Sequence, residues 1–516
     1  MNYVEEAASY LPPQIRDLSV SLFNYAQDRD GRKSILGYAA TAALSYYVGR
    51  TVYNIFIPPR KLRHIPRASS SAMILSMMKG SSPSERAREI VMPIIEEHGI
   101  CLKYQLGKWT VIIADYDELK PFLKNINTFP KKLMVFSTDF DIASHPNILG
   151  TNNEVWKRQR KAANPAFHRS MPIATFGGVM ETMFKTIQTD NIQYPDLASF
   201  NRRFALDCIG LGGFSFDMGS VADSNSEYSA IYNEAFEIMK DPIQFLFPSF
   251  SKLPASWFAY RQRVVVAGGK FKQLLVGIVE TRKQEVLKNL ESGHDQKLLD
   301  MDLLTMLIHA NLNQDGSSTY LTDGELISNL GVFYVAGHET TANALSSMLY
   351  YLAVNPKHQQ RLREEVISVM GDTPEDVIPT DEQLRQMKFL DRCIKETMRI
   401  NPPTSGNQLR TAAEDTTLGN FFIPKGTDLG MDIWITHHLE KYWKDSDYFN
   451  PSRFDQESPD YVDSTWMPFG YGERICIGMN FSLAEQRVFH AMFIRKYEYS
   501  LSPNSEHVNG MLNGTL

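Results

Sequence analysis

The chain has 516 residues, 43% hydrophobic and 22% charged, the balance of an ordinary globular protein and not of a disordered or fibrous one. A net charge of −6, with no basic tract interleaved with aromatics, leaves no footprint for nucleic acid. Four cysteines, Cys101, Cys208, Cys393 and Cys476, lie too far apart for a local disulfide framework or a Cys-x-x-Cys metal site.

Ile15, Leu18, Leu22 and Phe23 recur near helical spacing and can lie flat on a bilayer. Next comes "SILGYAATAALSYYVG", bounded by Lys33 and Arg50, and then "TVYNIFI". The uninterrupted run is shorter than the roughly 20 residues a spanning helix needs. Counted through Arg50, which can snorkel to an interface, it is long enough to span with tilt. The other reading is a buried helix of the globular domain. A proline break and the basic cluster Arg60, Lys61, Arg63 and Arg67 favour the anchor, with the remainder on the cytosolic side. A cleavable signal is not expected, because a long leader with several acids precedes the run. Residues 1–59 are therefore expected to form an amphipathic and membrane-anchor segment. Residues 60–516 are expected to form one large, mainly helical unit, since no linker or repeat divides them.

"VWKRQRKAANPAF" places Trp156 and Arg160 four apart on a helix, an indole N–H and a guanidinium facing one acidic ligand. "LTDGELISNLGVFYVAGHETTANALSSMLYYLAVNP" opens on a capping box, Thr322 with Glu325, and stops at Asn355 before Pro356. At 1.5 Å per residue the helix is about 50 Å long, enough to cross a domain. It is apolar on most sides, and its Glu and His favour burial in protein over lipid. At its centre, Ala336 and Gly337 remove bulk while Glu339 and Thr340 add an acid and an alcohol. A flat ligand could approach there. Equally, such a threonine bonds back to the carbonyl one turn earlier, and such a glycine admits a neighbouring helix. "HETTA" is not a zinc-protease motif, because the second histidine is replaced by Ala342.

"FLDRCIKETMRINPP" sets Glu396 and Arg399 on one helical face, and "YFNPSRF" supplies Arg453 to complete a buried carboxylate–guanidinium set. Arg410 in "NQLRTAAED" and Arg474 join Trp156 and Arg160 around a dianion. "FGYGERICIG" is not a phosphate loop, since it lacks the strand, spacing and lysine. A helical pattern follows Cys476, so its sulfur is expected at a helix N-terminus, where amides and the dipole lower a thiol's pKa. A thiolate beside an acid–alcohol pair, with arginines for two carboxylates, suits a haem, whose O–O cleavage thiolate donation favours.

These residues strongly resemble the cytochrome P-450 family, over nearly everything after about residue 60. Phe469, Gly472, Arg474, Cys476 and Gly478 match its cysteine loop, and Glu396 and Arg399 its Glu-x-x-Arg helix. Pro451, Arg453 and Phe454 match its proline–arginine–phenylalanine turn, with Ser452 where an acid is frequent. Ala336, Gly337, Glu339, Thr340 and Thr341 match its oxygen-activating pattern, and Trp156 and Arg160 its Trp-x-x-x-Arg helix.

The resemblance implies a triangular, mainly α fold with a smaller β region around "KYQLGKWTVIIA" and "FFIPKGTDLGM", a long central helix over the haem and the cysteine loop beneath it. It implies haem b with Cys476 as axial ligand, held also by Trp156, Arg160, Arg410, Arg474 and Phe469. Glu339 and Thr340 then supply protons for O–O cleavage, while Glu396, Arg399 and Arg453 are structural. The implied enzyme is a monooxygenase that inserts one atom of O2 into a hydrophobic lipid, steroid, terpenoid or xenobiotic. Only forty residues follow Cys476, so no flavin domain is expected there. Electrons are expected from NADPH through a separate NADPH–cytochrome P-450 reductase, with cytochrome b5 as a further donor. Lys157, Arg158 and Lys161 are a candidate surface for that acidic partner. The expected location is the endoplasmic reticulum membrane, facing the cytosol. Candidate pocket residues are those near 130–150 together with Leu330, Phe333, Ala336, Asn407 and Gln408. An isomerase or dehydratase needing no external electrons, and a haem carrier or sensor, are the rival readings; neither needs the Glu339–Thr340 pair.

Overall fold

The structure, a computed structural model, describes residues 29–132, 145–168, 170–189, 194–236, 253–292, 301–312, 319–406, 409–459, 461–462, 465–508 and 510–511. Ile15, Leu18, Leu22, Phe23, Asn407 and Gln408 lie outside the described residues, as does much of 130–150. The chain forms two compact units, Met1–Arg63 and His64–Leu516.

The first unit carries helix α1, Arg29–Phe56. Tyr46, Tyr47, Val48, Val52, Tyr53 and Phe56 are exposed on it. Among the described residues no helix is both long and apolar enough to cross a membrane. Length is not what α1 lacks; Arg50 and its tyrosines lower the hydropathy.

In the second unit, β1 (Ile100–Gln105) and β2 (Lys108–Ile113) form an antiparallel hairpin rich in branched residues, buried at Ile100, Leu102, Val111 and Ile113. The helices that matter for the site are α2 (Asn153–His168), α3 (Leu197–Phe214), α4 (Asp323–Val354), α5 (Pro356–Met370) and α6 (Lys388–Ile400). Strand β3 (Arg410–Thr411), the hairpin β4 (Thr416–Leu418) and β5 (Phe421–Ile423), strand β6 (Asp428–Met431) and helix α7 (Met479–Lys496) follow. The four-stranded sheet runs β1-β2-β6-β3, with β2 parallel to β6 and β3 antiparallel to it. The fold is thus mainly helical with a small sheet region, and strands lie in both stretches expected to hold them.

Helix α4 begins at the capping box. Thr322 Oγ1 accepts from the Glu325 amide at 3.2 Å, and Glu325 Oε2 accepts from the Thr322 amide at 3.0 Å. The same carboxylate pairs with Arg158 of α2 at 2.5 Å, and Arg158 also donates to the Tyr320 carbonyl. Arg158 is therefore committed to α4 and is not part of an open basic surface. Lys157 pairs with Glu154 at 2.9 Å. Along α4, Leu326, Leu330, Tyr334, Leu345 and Met348 enter the core.

At Gly337 the two readings of the sequence separate. A Cβ there would meet Ile209 of α3 at 3.1 Å, so the glycine admits a neighbouring helix. Ala336, one residue earlier, is the exposed position.

Candidate active site

The cysteine loop runs from a turn at Met467 to the start of α7. Gly470 donates to the Met467 carbonyl and the Cys476 amide to the Phe469 carbonyl, each at 2.9 Å. Gly472 has φ +76° and lies where a Cβ would sit 3.4 Å from the Leu123 carbonyl, so a side chain there would be both strained and crowded. Gly478 caps α7, placing Cys476 two residues ahead of the cap.

Cys476 is the exposed member of the four cysteines; the other three are buried. Protein packed around the loop still desolvates the anion and pushes the thiol up from its ordinary value. The Gly478 amide and the charges of Arg160 and Lys131 act the other way without overcoming this desolvation. The expectation of a thiol lowered by the helix terminus is corrected here, since desolvation of the anion outweighs the amides. A metal ion would supply the charge that keeps this sulfur a thiolate.

Lys131, Arg160, Arg410 and Arg474 gather beside the loop. Arg160 Nη1 donates to the Ile475 carbonyl at 2.9 Å. Arg474 Nη2 donates to the Thr151 carbonyl at 2.7 Å and to Asn152 Oδ1 at 3.1 Å, while its Nη1 is buried without a partner. The Arg474 guanidinium lies over the Trp156 ring at 3.9 Å. Arg410 Nη1 donates to the Phe122 carbonyl at 3.0 Å. Burial pushes Arg410 and Arg474 each down to about 10, with Arg410 and Arg160 adding to the effect on Arg474. Lys131 is pushed down to about 7 by burial and by Arg474 and Arg410. Among the described residues no carboxylate forms an ion pair with any of the four, although buried charge is normally paired. Phe469 stands edge-on to Trp466, ring centroids 6.0 Å apart.

Beneath the loop is a fully buried set. Arg399 donates to Glu396 through Nε at 2.7 Å and Nη2 at 3.0 Å, and Arg453 Nε reaches Glu396 Oε1 at 3.4 Å. Asn450 N adds a bond to Glu396 at 2.8 Å, and Arg453 Nη2 donates to the Asp445 carbonyl at 2.7 Å. Every charge in the set meets a partner, the condition under which buried ions are tolerated. From Arg399 the network reaches His437, and from His437 the Met467 amide.

On α4, Thr340 Oγ1 donates to the Ala336 carbonyl at 2.7 Å. Its hydrogen is committed, and its lone pairs remain as acceptors. Thr341 Oγ1 meets Ser482 Oγ of α7 at 3.1 Å, tying α4 to the helix that follows Cys476. His338 Nδ1 lies 3.0 Å from the Tyr232 hydroxyl. Leu330 is fully buried in the core, whereas Ala336 is exposed. Phe333, also buried, packs its ring 5.8 Å from Phe167.

Three residues were missed in the sequence: Lys131, Asn152 and His437. The histidine doublet 437–438 and the lysine doublet 131–132 were the available signals, but a doublet does not say which member reaches the loop.

Cations without an anion of their own suit a dianionic ligand, and an accessible sulfur beside them suits a metal. A haem fits both features, and comparison with known proteins gives the family. The chain belongs to the cytochrome P450 family: the family model described as Cytochrome P450 matches residues 73–513. It is 29% identical over 420 residues to 11-oxo-beta-amyrin 30-oxidase of Glycyrrhiza uralensis, covering 77% of this chain and 75% of that protein. It is 27% identical over 481 residues to cytokinin hydroxylase of Arabidopsis thaliana, covering 88% and 90%. The crystal structure of the cytochrome P450DA heme domain has the same fold, with a TM-score of 0.69 at 20% identity over 83% of this chain and 90% of that one. The protein is a cytochrome P450 monooxygenase with haem b as its cofactor, inserting one atom of O2 into a hydrophobic small molecule.

Proposed function

We propose that Cys476 is the axial ligand of the haem and that the four cations beside it hold the propionates. The observation that carries this is the buried, unpartnered Nη1 of Arg474 next to the one exposed cysteine. Arg474 would bind a propionate through that nitrogen, with Trp156 holding the guanidinium from its other face. Lys131, Arg160 and Arg410 add charge that a dianion neutralises. Bound haem supplies O2 activation at an iron made electron-rich by thiolate donation.

The remaining chemistry belongs to side chains. Thr340, its hydrogen held by Ala336, would fix a water by accepting from it, and Glu339 would pass that water a proton. Glu396, Arg399 and Arg453 hold the backbone from which the loop hangs.

The proposed electron source is NADPH through NADPH–cytochrome P-450 reductase, with cytochrome b5 as an auxiliary donor. The proposed location is the endoplasmic reticulum membrane. Residues 1–59 would serve as the membrane-binding segment of a 60–516 monooxygenase domain, a reading supported by the compact-unit boundary after Arg63. Ile74, Leu75, Met77 and Met78 are exposed on the short helix Ser70–Met78 and support contact with lipid. Substrates are proposed among lipids, steroids, terpenoids and xenobiotics, the relatives being named for 11-oxo-beta-amyrin and for cytokinin.

The test is the reduced, carbon-monoxide-bound spectrum of the full chain and of Cys476→Ser. The wild type should show the red-shifted band of thiolate ligation and the variant should not. Retention of that band in the variant would sink the assignment. NADPH and O2 consumption with added reductase, scored against product from a panel of hydrophobic ligands, tests the electron source and the substrate class.

A further inference from the structure

His437 follows a single helical turn, Ile433–Thr436, and its amide donates to the Ile433 carbonyl at 3.0 Å. It is fully buried, with its ring edge-on to Trp443 at 6.0 Å. The Met467 amide donates to His437 Nε2 at 3.0 Å. A nitrogen that accepts carries no proton, so the neutral ring keeps its hydrogen on Nδ1, which donates to the Arg399 carbonyl at 3.2 Å. Arg399 Nη1 donates back to the His437 carbonyl at 2.9 Å. Burial and the Arg399 charge hold the ring neutral, well below the usual histidine range.

We propose that His437 is a positioning residue for the cysteine loop, transmitting the fixed position of the Glu396–Arg399 pair to the Met467 amide. Met467 is where the loop begins. Its carbonyl accepts from Gly470, and Phe469, inside that turn, holds the Cys476 amide. The direction of the sulfur is therefore referred, through one imidazole, to a buried ion pair on α6. Phe, Leu or Met could fill the volume, but none can accept from one amide and donate to a carbonyl on another element.

His438 supplies a control. It is equally buried, but its Nδ1 bonds only the Trp434 carbonyl within the same turn, at 2.8 Å, and its ring stacks on Trp434 at 3.9 Å. It contributes packing without touching the loop.

The inference rests on Cys476 as the ligand, so the experiment carries a readout that does not depend on haem. His437→Leu, His437→Gln, His437→Asn and His438→Leu are compared with wild type in the full chain. Thermal midpoint, the fraction of reduced carbon-monoxide complex in the red-shifted band, and amide exchange of the 467–476 peptide with and without haem are measured. His437→Leu should raise exchange in that peptide by about tenfold or more, the effect of leaving one buried amide unpaired, with α4 unchanged. Its red-shifted fraction should fall several-fold. His437→Gln, long enough to accept from Met467, should keep most of both properties, and the shorter His437→Asn should not. His438→Leu should lower the midpoint while leaving the peptide and the band alone. If both leucine variants lose the band in proportion to their loss of midpoint, the positioning role is wrong. If His437→Leu does not fold, equal behaviour of the glutamine and asparagine variants overturns it instead. Absence of the band in wild type, with the peptide still responding to His437, would fault the ligand assignment and not this one.

Discussion

The guanidinium of Arg474 lies 3.9 Å over the indole of Trp156, so the aromatic ring is a platform for a cation whose free nitrogen points elsewhere. A cation–π contact of this kind is worth about 0.5–2 kcal/mol, the larger value when desolvated. Trp156→Leu should therefore speed haem loss to an excess haem acceptor by up to about thirtyfold, and Trp156→Phe by less. Unchanged loss rates in both variants would mean that Arg474 needs no platform.

Lys131 should behave in opposite ways with and without cofactor. Burial and the neighbouring arginines push it down to about 7, so in the haem-free protein it is a charge held at a cost. Lys131→Met should raise the chemical stability of the haem-free protein by about 1 kcal/mol and weaken haem retention. Denaturant titration of the haem-free protein and haem transfer measure the two signs; the same sign in both refutes the idea.

Glu485 on α7 is buried with Oε1 unpartnered, and burial pushes its carboxyl well above the usual range. The folded protein keeps that proton while the unfolded chain releases it above pH ~4.5, so stability falls as pH rises through this window. Glu485→Gln should therefore gain on wild type by up to about 1.4 kcal/mol per pH unit above pH ~4.5, and the gain should vanish below it. His438 and His490, pushed down to about 3 by burial, carry the opposite slope: their stability is present above pH ~6.5 and lost on acidification. Unfolding free energies of both proteins from pH 4 to 7.5 give the difference; a pH-independent difference rules out a buried neutral acid.

Thr340→Ala should retain fold and haem, because alanine suits a helix interior. The water held by its lone pairs should be lost, slowing the protonation it serves by about 10²–10⁴-fold. NADPH and O2 would still be consumed, with hydrogen peroxide in place of product. Thr340→Ser should keep most of the coupling. A product-to-NADPH ratio that does not move in the alanine variant leaves the hydroxyl with its helical bond to Ala336 alone.

Local signals served the long helix well. Thr322, Glu325 and Asn355 mark its ends in the chain and in space. Glu396 and Arg399 were legible for the same reason, being three residues apart on one helix. Gly337 was not, since a glycine admits a ligand or a helix equally and only the position of Ile209 decides. Arg158 read as a surface charge because its partner Glu325 lies far along the chain. Lys131 became visible only through its bridge to Arg410 across the sheet edge, a pairing that no local pattern announces. The Cys476 thiol was misjudged because a motif shows the neighbouring amides and not the desolvation by protein packed around them.

Glu325 does two jobs with one carboxylate, closing the first turn of its own helix and receiving Arg158 from α2. Helix α2 carries Arg160 and Trp156, and α4 carries Glu339 and Thr340. The proposed grip on the cofactor's edge and the proposed delivery of protons to its face would thus be yoked at a residue that takes part in neither. Selection on either property must pass through the same acid, so variation at position 325 would change how firmly the enzyme is assembled and how faithfully it spends its electrons in a single step.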